Sequence, residues 1–480
     1  MKNLRRHPEL VSGSTKIMKI LLLSPPYLPE YMRNARCDFV SLSKTQWYPI
    51  WLGYCGAFLE KNGYEVKLID APAYGLNHTQ TEDIILNYKP DWLVVYSSTK
   101  SEDNDINFTE KLMDLLNIPS VFVGPYVSIN PVRILEKSNK IQFAIKGEFE
   151  YPVLELLEKK PISQIKNLAY KQDLQIIQNE LRPLLSRKEL DKIPFLTAFF
   201  KKHLDFKFYK TPSEYYPFID LMTGRGCIWG LCTFCLWVHS FITGKTYNTR
   251  SIENVLEEFN FVVQELPEVR SIMIQDDTLS EERATELSEG LLKSNIKISW
   301  SCYARANMNY ETLKLMKKAG CRNLHVGYES ISDNVLKNIK KGITVEKMER
   351  FTADAKKAGL RIHADFMLGL PGETKESTLK LINWAKKINP HTAQFQLINP
   401  YEITPLYQYL KDNNYFNKNG EPNYPDLSTE EIRKLGKLAY RKFYLSFNHL
   451  KKVISSPYEH FFGRLDTISR AIPAIFWKKW

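Results

Sequence analysis

The chain has 480 residues, 44% hydrophobic and 25% charged, with a formal net charge of +12. That composition excludes a disordered or collagen-like polymer and leaves room for about three domains of the usual ~100 to 200 residues. Seven cysteines, an odd number with three of them clustered, do not form the paired framework of a small secreted disulfide scaffold and favour a reducing, cytoplasmic compartment.

Residues 1–16 are polar and patternless and read as a tail ahead of Met18. The apolar stretch before Pro25-Pro26 is too short for a signal-peptide core, and no run approaches the ~18 apolar residues of a membrane span. Residues 18–25 (MKILLLSP) read as a buried parallel strand stopped at the Pro-Pro pair. A helix is expected from about Pro49 to Gly63, followed by strands at 65–70, 91–98, 119–125 and 142–148 with helical segments between them. Strands alternating with helices imply right-handed crossovers and a doubly wound parallel sheet. Ligands of such sheets lie at the strand carboxyl ends. There the sequence offers Pro25 and Tyr27, Ser97-Ser98-Thr99, Gly124-Pro125 and Gly147-Glu148; singly, each reads equally as a turn residue. A GxGxxG dinucleotide fingerprint is absent.

Residues 161–215 show weak periodicity and read as a connector with a short strand or two. A second α/β series follows, with strands expected at 218–227, 271–278, 298–306, 323–330, 361–372 and 394–401. Six β-α units predict a barrel or partial barrel with its active site at the strand C-terminal ends.

The first of these strands runs into RGCIWGLCTFCLW (225–237), which places Cys227, Cys232 and Cys235 at spacing C-x4-C-x2-C. Three close thiolates suit either zinc or an iron-sulfur cluster. With His239 the set would make a tetrahedral zinc knuckle; without it, three cysteines leave one iron of a cluster open to another ligand.

At this point the chain resembles the radical S-adenosylmethionine (radical SAM) superfamily, over about residues 18–410. The preceding Rossmann-like unit and the CTFCLW ending resemble more narrowly its cobalamin-binding class, the group with the anaerobic bacteriochlorophyll cyclase and a hopanoid ring-forming branch. The resemblance implies a cobalamin-binding domain over 18–160, a connector over 161–215, a partial radical SAM barrel over 216–410 and a basic helical extension over 411–480. It implies a 4Fe-4S cluster on the three cysteines, S-adenosylmethionine on the open iron, and cobalamin at the first-sheet positions named above. Phe234 matches a backbone position near adenine. Asp276 or Asp277 stands where relatives hold the amino group, and Arg305 could grip the methionine carboxylate with two hydrogen bonds. Glu329 and Ser330 match a ribose contact, and Gly369 and Pro371 an adenine contact. Two departures stand out. The superfamily's spacing is C-x3-C-x2-C, and the first βα loop lacks the D-x-H-x-x-G that supplies a histidine to cobalt in some cobalamin proteins, so a lower face free of histidine is expected.

The implied activity is reductive cleavage of S-adenosylmethionine and modification of an unactivated carbon in a small-molecule or lipid-like substrate, with a flavodoxin- or ferredoxin-type electron donor. C-methylation leads, with cyclisation or ring rearrangement, or a radical SAM enzyme without cobalamin, as alternatives, and a zinc-stabilised binding protein as the non-enzyme rival. The apolar residues Ile228, Trp229, Leu231, Phe234, Leu236 and Trp237 would form a collar limiting water and oxygen. Residues 427–480 hold eleven Lys or Arg against four Asp or Glu, a net +7. Within them one amphipathic helix is expected, opening with the Ser428/Glu431 capping box and with Ile432, Leu435, Ala439, Phe443, Phe447, Leu450 and Ile454 on its apolar face. It reads as a cap on the barrel or as a contact with an inner membrane surface. No recognised nucleic-acid module accompanies the charge.

Overall fold

The computed structural model describes residues 17–33, 38–40, 45–211, 213–242 and 244–455. Residues 456–480, the end of the basic extension expected over 411–480, lie outside the described residues.

The first sheet contains β1 (Lys19–Ser24), β2 (Glu65–Asp70), β3 (Trp92–Tyr96), β4 (Ser120–Val123), β5 (Phe143–Ile145), β6 (Leu168–Gln172) and β7 (Gln175–Gln178), in the order β2-β1-β3-β4-β5-β6-β7. β1 to β5 are parallel, as their short apolar runs require for strands covered on both faces. β6 and β7 add antiparallel strands at one edge; they come from the segment read as a connector. The order reverses between β1 and β3, which leaves a crevice outside their carboxyl ends.

The helix Ile50–Lys61 lies between this sheet and the second one. Its first ten residues are all buried, the signature of a helix enclosed on every side. Gly53 and Gly56 make that possible, since a Cβ on either would lie 2.5 Å from Leu196 or 2.3 Å from Phe199 of the neighbouring helix Leu196–His203.

The second sheet is fully parallel and six-stranded, formed by β8 (Phe218–Leu221), β11 (Ser271–Leu279), β12 (Ser299–Ala304), β13 (Cys321–Glu329), β14 (Arg361–Leu368) and β15 (Thr392–Leu397) in that order. The strand expected over 218–227 is in fact two. After Leu221 the chain leaves the sheet and forms β9 (Gly224–Cys227), antiparallel to β10 (Thr246–Thr249). Gly226 explains the break. Its φ is +104°, and a Cβ there would sit 1.9 Å from the Thr246 carbonyl oxygen, so only glycine permits the close ribbon. Phe366 and Phe395 turn to the helical side, where they stack on each other and meet Trp384 and Tyr440. The alternate residues His363, Asp365, Met367, Gln394 and Gln396 are half-buried and therefore face the barrel interior.

The C-terminal helix expected as one piece is broken at 445–446 into Thr429–Tyr444 and Phe447–Ser455. The first keeps its capping box and buries Ile432, Leu435, Ala439 and Phe443. The second leaves Phe447 and Ile454 79% and 71% exposed. Among the described residues no helix is long and apolar enough to cross a membrane.

Candidate functional site

The cysteine loop starts at the end of the β9 ribbon and closes into a π-helical turn, Trp237–Phe241. Cys232 is buried and Cys227 and Cys235 are half-buried, all three as free thiols. Two consecutive carbonyls of the segment after β13 fasten the loop, and the next one holds Arg305 at the end of β12. Ile339 accepts from the Thr233 N–H at 3.0 Å, Lys340 from Trp229 Nε1 at 2.7 Å, and Lys341 from Arg305 Nη2 at 2.5 Å. The Arg305 guanidinium lies over the Trp229 ring, 4.9 Å from its centroid.

Burial pushes the Cys235 thiol up to about 12 and raises that of Cys232, against the opposing pull of Lys341 and Arg305 on Cys232. Iron binding to these thiols must therefore release protons. Lys341 and Arg305 bring two positive charges to the cysteine side of the barrel. The zinc arrangement is not assembled: His239 Nε2 lies 3.1 Å from the Cys232 carbonyl oxygen. Among the described residues no His, Cys, Asp or Glu group converges as a ready-made single-ion site. Three cysteines without a fourth protein ligand suit a cluster that would keep one iron open. The collar is partial. Phe234 and Trp237 are buried, whereas Leu231 is 49% exposed.

The positions offered for S-adenosylmethionine gather on successive strand ends. Asp276 is fully buried, with one oxygen 2.6 Å from the Thr223 N–H and the other accepting from Thr223 Oγ1 at 2.6 Å and Tyr247 at 2.8 Å. Asp277 is half-buried and accepts from the Gly226 N–H at 3.0 Å, one residue before the first cysteine. Of the two, Asp277 is the less buried. Glu329 takes a left-handed backbone, φ +62°, and its Oε1 accepts from Lys341 Nζ at 2.7 Å. Its Oε2 is buried with no hydrogen-bond partner among the described residues, an acceptor suited to a ribose hydroxyl. Ser330 Oγ instead accepts from the Ser332 N–H. Gly369 and Pro371 lie in a buried loop. Glu373 holds that loop through the Gly369 and Leu370 N–H groups, and Asn338 donates to the Pro371 carbonyl.

At the first sheet, Ser97 and Ser98 are turned into a buried network rather than outward. Ser97 donates to Asp105 at 2.9 Å, and Ser98 bonds Tyr31 and Ser101 at 2.8 and 2.9 Å. Arg33 completes the network with Asp105 at 2.7 Å and the Pro25 carbonyl. Tyr27 packs edge-on to Tyr31, Thr99 is exposed and Pro125 starts a short helix. Gly124 has φ +117°, and a Cβ there would meet the Ser97 carbonyl oxygen at 3.2 Å. A ligand of a sheet with this strand order lies at the β1/β3 reversal, where Tyr27, Tyr31 and Gly124 stand near the strand ends. The first βα loop contributes Tyr31 and Arg33 to this end, with no histidine in 24–33. Glu148 follows β5 in the 147–150 turn. Its carboxylate turns inward, to Arg225 and the Leu185 N–H, both near 2.7 to 2.8 Å.

Sequence reasoning missed Arg33, Asp105, Arg225, Lys341 and Glu373. Arg225 stood in the quoted RGC stretch, but nothing local marks an arginine as buried.

A partial parallel barrel with a cysteine loop at its open end, joined to a sheet with a β1/β3 crevice, defines a radical SAM barrel carrying a corrin-type domain. The sequence matches the Radical SAM superfamily over residues 221–385 and the B12 binding domain over 37–157. An uncharacterized methyltransferase of Pyrococcus horikoshii is 30% identical over 464 residues, 93% of this chain and 96% of that protein. The anaerobic magnesium-protoporphyrin IX monomethyl ester cyclase of Rubrivivax gelatinosus is 23% identical over 398 residues, 76% of this chain and 67% of its own. Among solved structures, the radical SAM methyltransferase TsrM of Kitasatospora setae superposes with a TM-score of 0.65 at 17% identity, covering 83% of this chain and 78% of TsrM. The chain belongs to the cobalamin-binding radical SAM family, as an enzyme whose cofactors are a 4Fe-4S cluster, S-adenosylmethionine and cobalamin.

Proposed function

We propose that this enzyme methylates an unactivated carbon of a small polar molecule, with Cys227, Cys232 and Cys235 as cluster ligands and residues 18–160, 161–215, 216–410 and 411–480 as corrin domain, connector, barrel and extension. In this scheme the cluster supplies the electron that cleaves S-adenosylmethionine, and the corrin supplies the methyl group. Asp277 holds the ammonium and Arg305 the carboxylate of the methionine moiety. The free Oε2 of Glu329 takes a ribose hydroxyl. Phe234 and the loop of Gly369 and Pro371 exclude water around the adenine. Pro25, Tyr27, Thr99, Gly124, Pro125 and Gly147 line the corrin crevice, with Ser97, Ser98 and Glu148 behind them.

One observation carries the choice of methylation: full-length similarity to an uncharacterized methyltransferase. The buried wall that Arg225 makes between the cysteine loop and the 147–150 turn supports a corrin working beside the cluster. The half-buried His363, Asp365, Gln394 and Gln396 of the barrel interior favour a polar substrate over a wholly apolar one. A flavodoxin- or ferredoxin-type protein is the proposed electron source. The exposed Phe447 and Ile454, with the surrounding lysines, are the proposed contact with an anionic membrane surface.

The deciding experiment is anaerobic purification from cobalamin-fed cells, followed by incubation with methyl-labelled S-adenosylmethionine and the small-molecule fraction of the same cells. Corrinoid and cluster absorption bands, deoxyadenosine release and label bound to carbon in a product are expected. A ring-closed product without label would replace methylation by cyclisation, and a colourless protein holding one zinc would end the proposal.

A further inference from the structure

Arg225 lies two residues before Cys227 and is 2% exposed. Its Nη1 donates to Glu148 Oε1 and its Nη2 to Glu150 Oε1, each at 2.7 Å. The guanidinium also lies against Trp51 and Tyr54, 4.7 and 5.0 Å from their ring centroids. The other end of the cysteine loop returns to the same place. Trp237 stacks on Trp51 at 5.9 Å, Phe241 meets Trp51 at 4.5 Å, and the Phe241 carbonyl oxygen lies 3.3 Å from where a Cβ on Gly147 would be. Both ends of the loop are thus gripped by the 147–150 turn and by Trp51.

A buried ion cluster is a weak stabiliser beside well-packed apolar side chains, so stability alone does not account for one guanidinium between two carboxylates. Its distinctive property is direction. The planar fork of arginine fixes two acceptors at once in a set orientation, which neither lysine nor an apolar residue reproduces. The rings of Trp51 and Tyr54 restrict the guanidinium further.

We infer that Arg225, with Glu148 and Glu150, is a positioning residue that locks the cysteine loop in register with the corrin-side turn 147–150, so that a ligand bound at that turn is felt at the cysteines. The inference rests on the proposed function in placing the corrin beside this turn.

Hydrogen exchange on the full chain, with hydroxocobalamin as the probe, tests it. In the unsubstituted protein hydroxocobalamin is expected to slow exchange across residues 224–241. Glu150→Gln preserves shape and one acceptor oxygen; Arg225→Lys preserves charge but cannot span both carboxylates. Both are expected to bind hydroxocobalamin, judged by its absorption, and to retain slow exchange in β11 to β14, while the response at 224–241 falls in Glu150→Gln and is lost in Arg225→Lys. An unchanged response overturns the inference. So does loss of hydroxocobalamin binding or of barrel protection in Glu150→Gln, which would mark the cluster of charges as scaffolding; that variant decides the matter if Arg225→Lys does not fold. Unsubstituted protein that never takes up hydroxocobalamin would instead defeat the functional reading, and this inference with it.

Discussion

Tyr424 donates its hydroxyl hydrogen to the Gly369 carbonyl oxygen at 2.8 Å, so the chain beyond the barrel holds the loop proposed for adenine. Ile432 adds an apolar contact, its Cδ1 3.2 Å from the position of a Gly369 Cβ. Tyr424→Phe keeps the packing but leaves a buried carbonyl unpaired, a cost of about 1 kcal/mol or more. Binding of S-adenosylmethionine to the cluster-bearing protein, measured by equilibrium dialysis, is expected to weaken about fivefold.

Burial pushes the Glu373 carboxyl up to about 7 from an ordinary value of 4.5. The folded chain therefore holds this proton more tightly than the unfolded chain does. The resulting stability is complete below the unfolded value and is lost as pH rises through about 7. Glu373→Gln carries no proton to lose. Its Tm relative to the unsubstituted protein is expected to climb between about pH 5 and about pH 8, as read by thermal unfolding at both values.

Gly226→Ala places a methyl group against the Thr246 carbonyl in a left-handed backbone. The β9–β10 ribbon should open while both large sheets persist, because neither uses this pairing. Iron and sulfide content after anaerobic reconstitution is expected to collapse with little change in far-ultraviolet circular dichroism.

Arg33 and Asp105 form a pair with neither side chain exposed. Arg33→Met leaves a buried carboxylate without its counter-charge, and urea unfolding is expected to show a loss of about 3 to 5 kcal/mol. The double variant Arg33→Met/Asp105→Leu should recover part of that loss.

Phe447 and Ile454 protrude from the last described helix. Replacing both by glutamate is expected to abolish co-sedimentation with phosphatidylserine vesicles and to leave Tm unchanged. Equal binding by the two proteins would remove the membrane contact from the functional picture.

The two α/β series, the barrel and the cysteine loop were legible because each depends on local signals. Strands such as KILLLS and FIDL are short apolar runs between turn residues, and the thiol spacing is contiguous. The β9–β10 ribbon was hidden because TYNT has no apolar pattern and GRGC continues the preceding strand in composition. The charged residues that shape the site were hidden for a different reason. Arg225 is buried by carboxylates 75 and 77 positions earlier, and Arg33 by one 72 positions later. A single sequence shows such residues as surface charges, since the partners that neutralise them are chosen by topology. The side chains of Asp276 and Glu148 turn inward, a choice set by hydroxyl and guanidinium partners that periodicity does not register.

The grip of residues 339–341 on the cysteine loop and on Arg305 carries a consequence for how this protein tolerates change. Three adjacent carbonyls serve three separate donors, Thr233, Trp229 and Arg305, and they can do so only at one spacing. Inserting or deleting a single amino acid between Leu336 and Gly342 would unhook every grip together, however conservative the residues involved. This stretch is thus constrained by its length in addition to the side chains of Asn338 and Lys341, and drift in a lineage should rarely recount its letters.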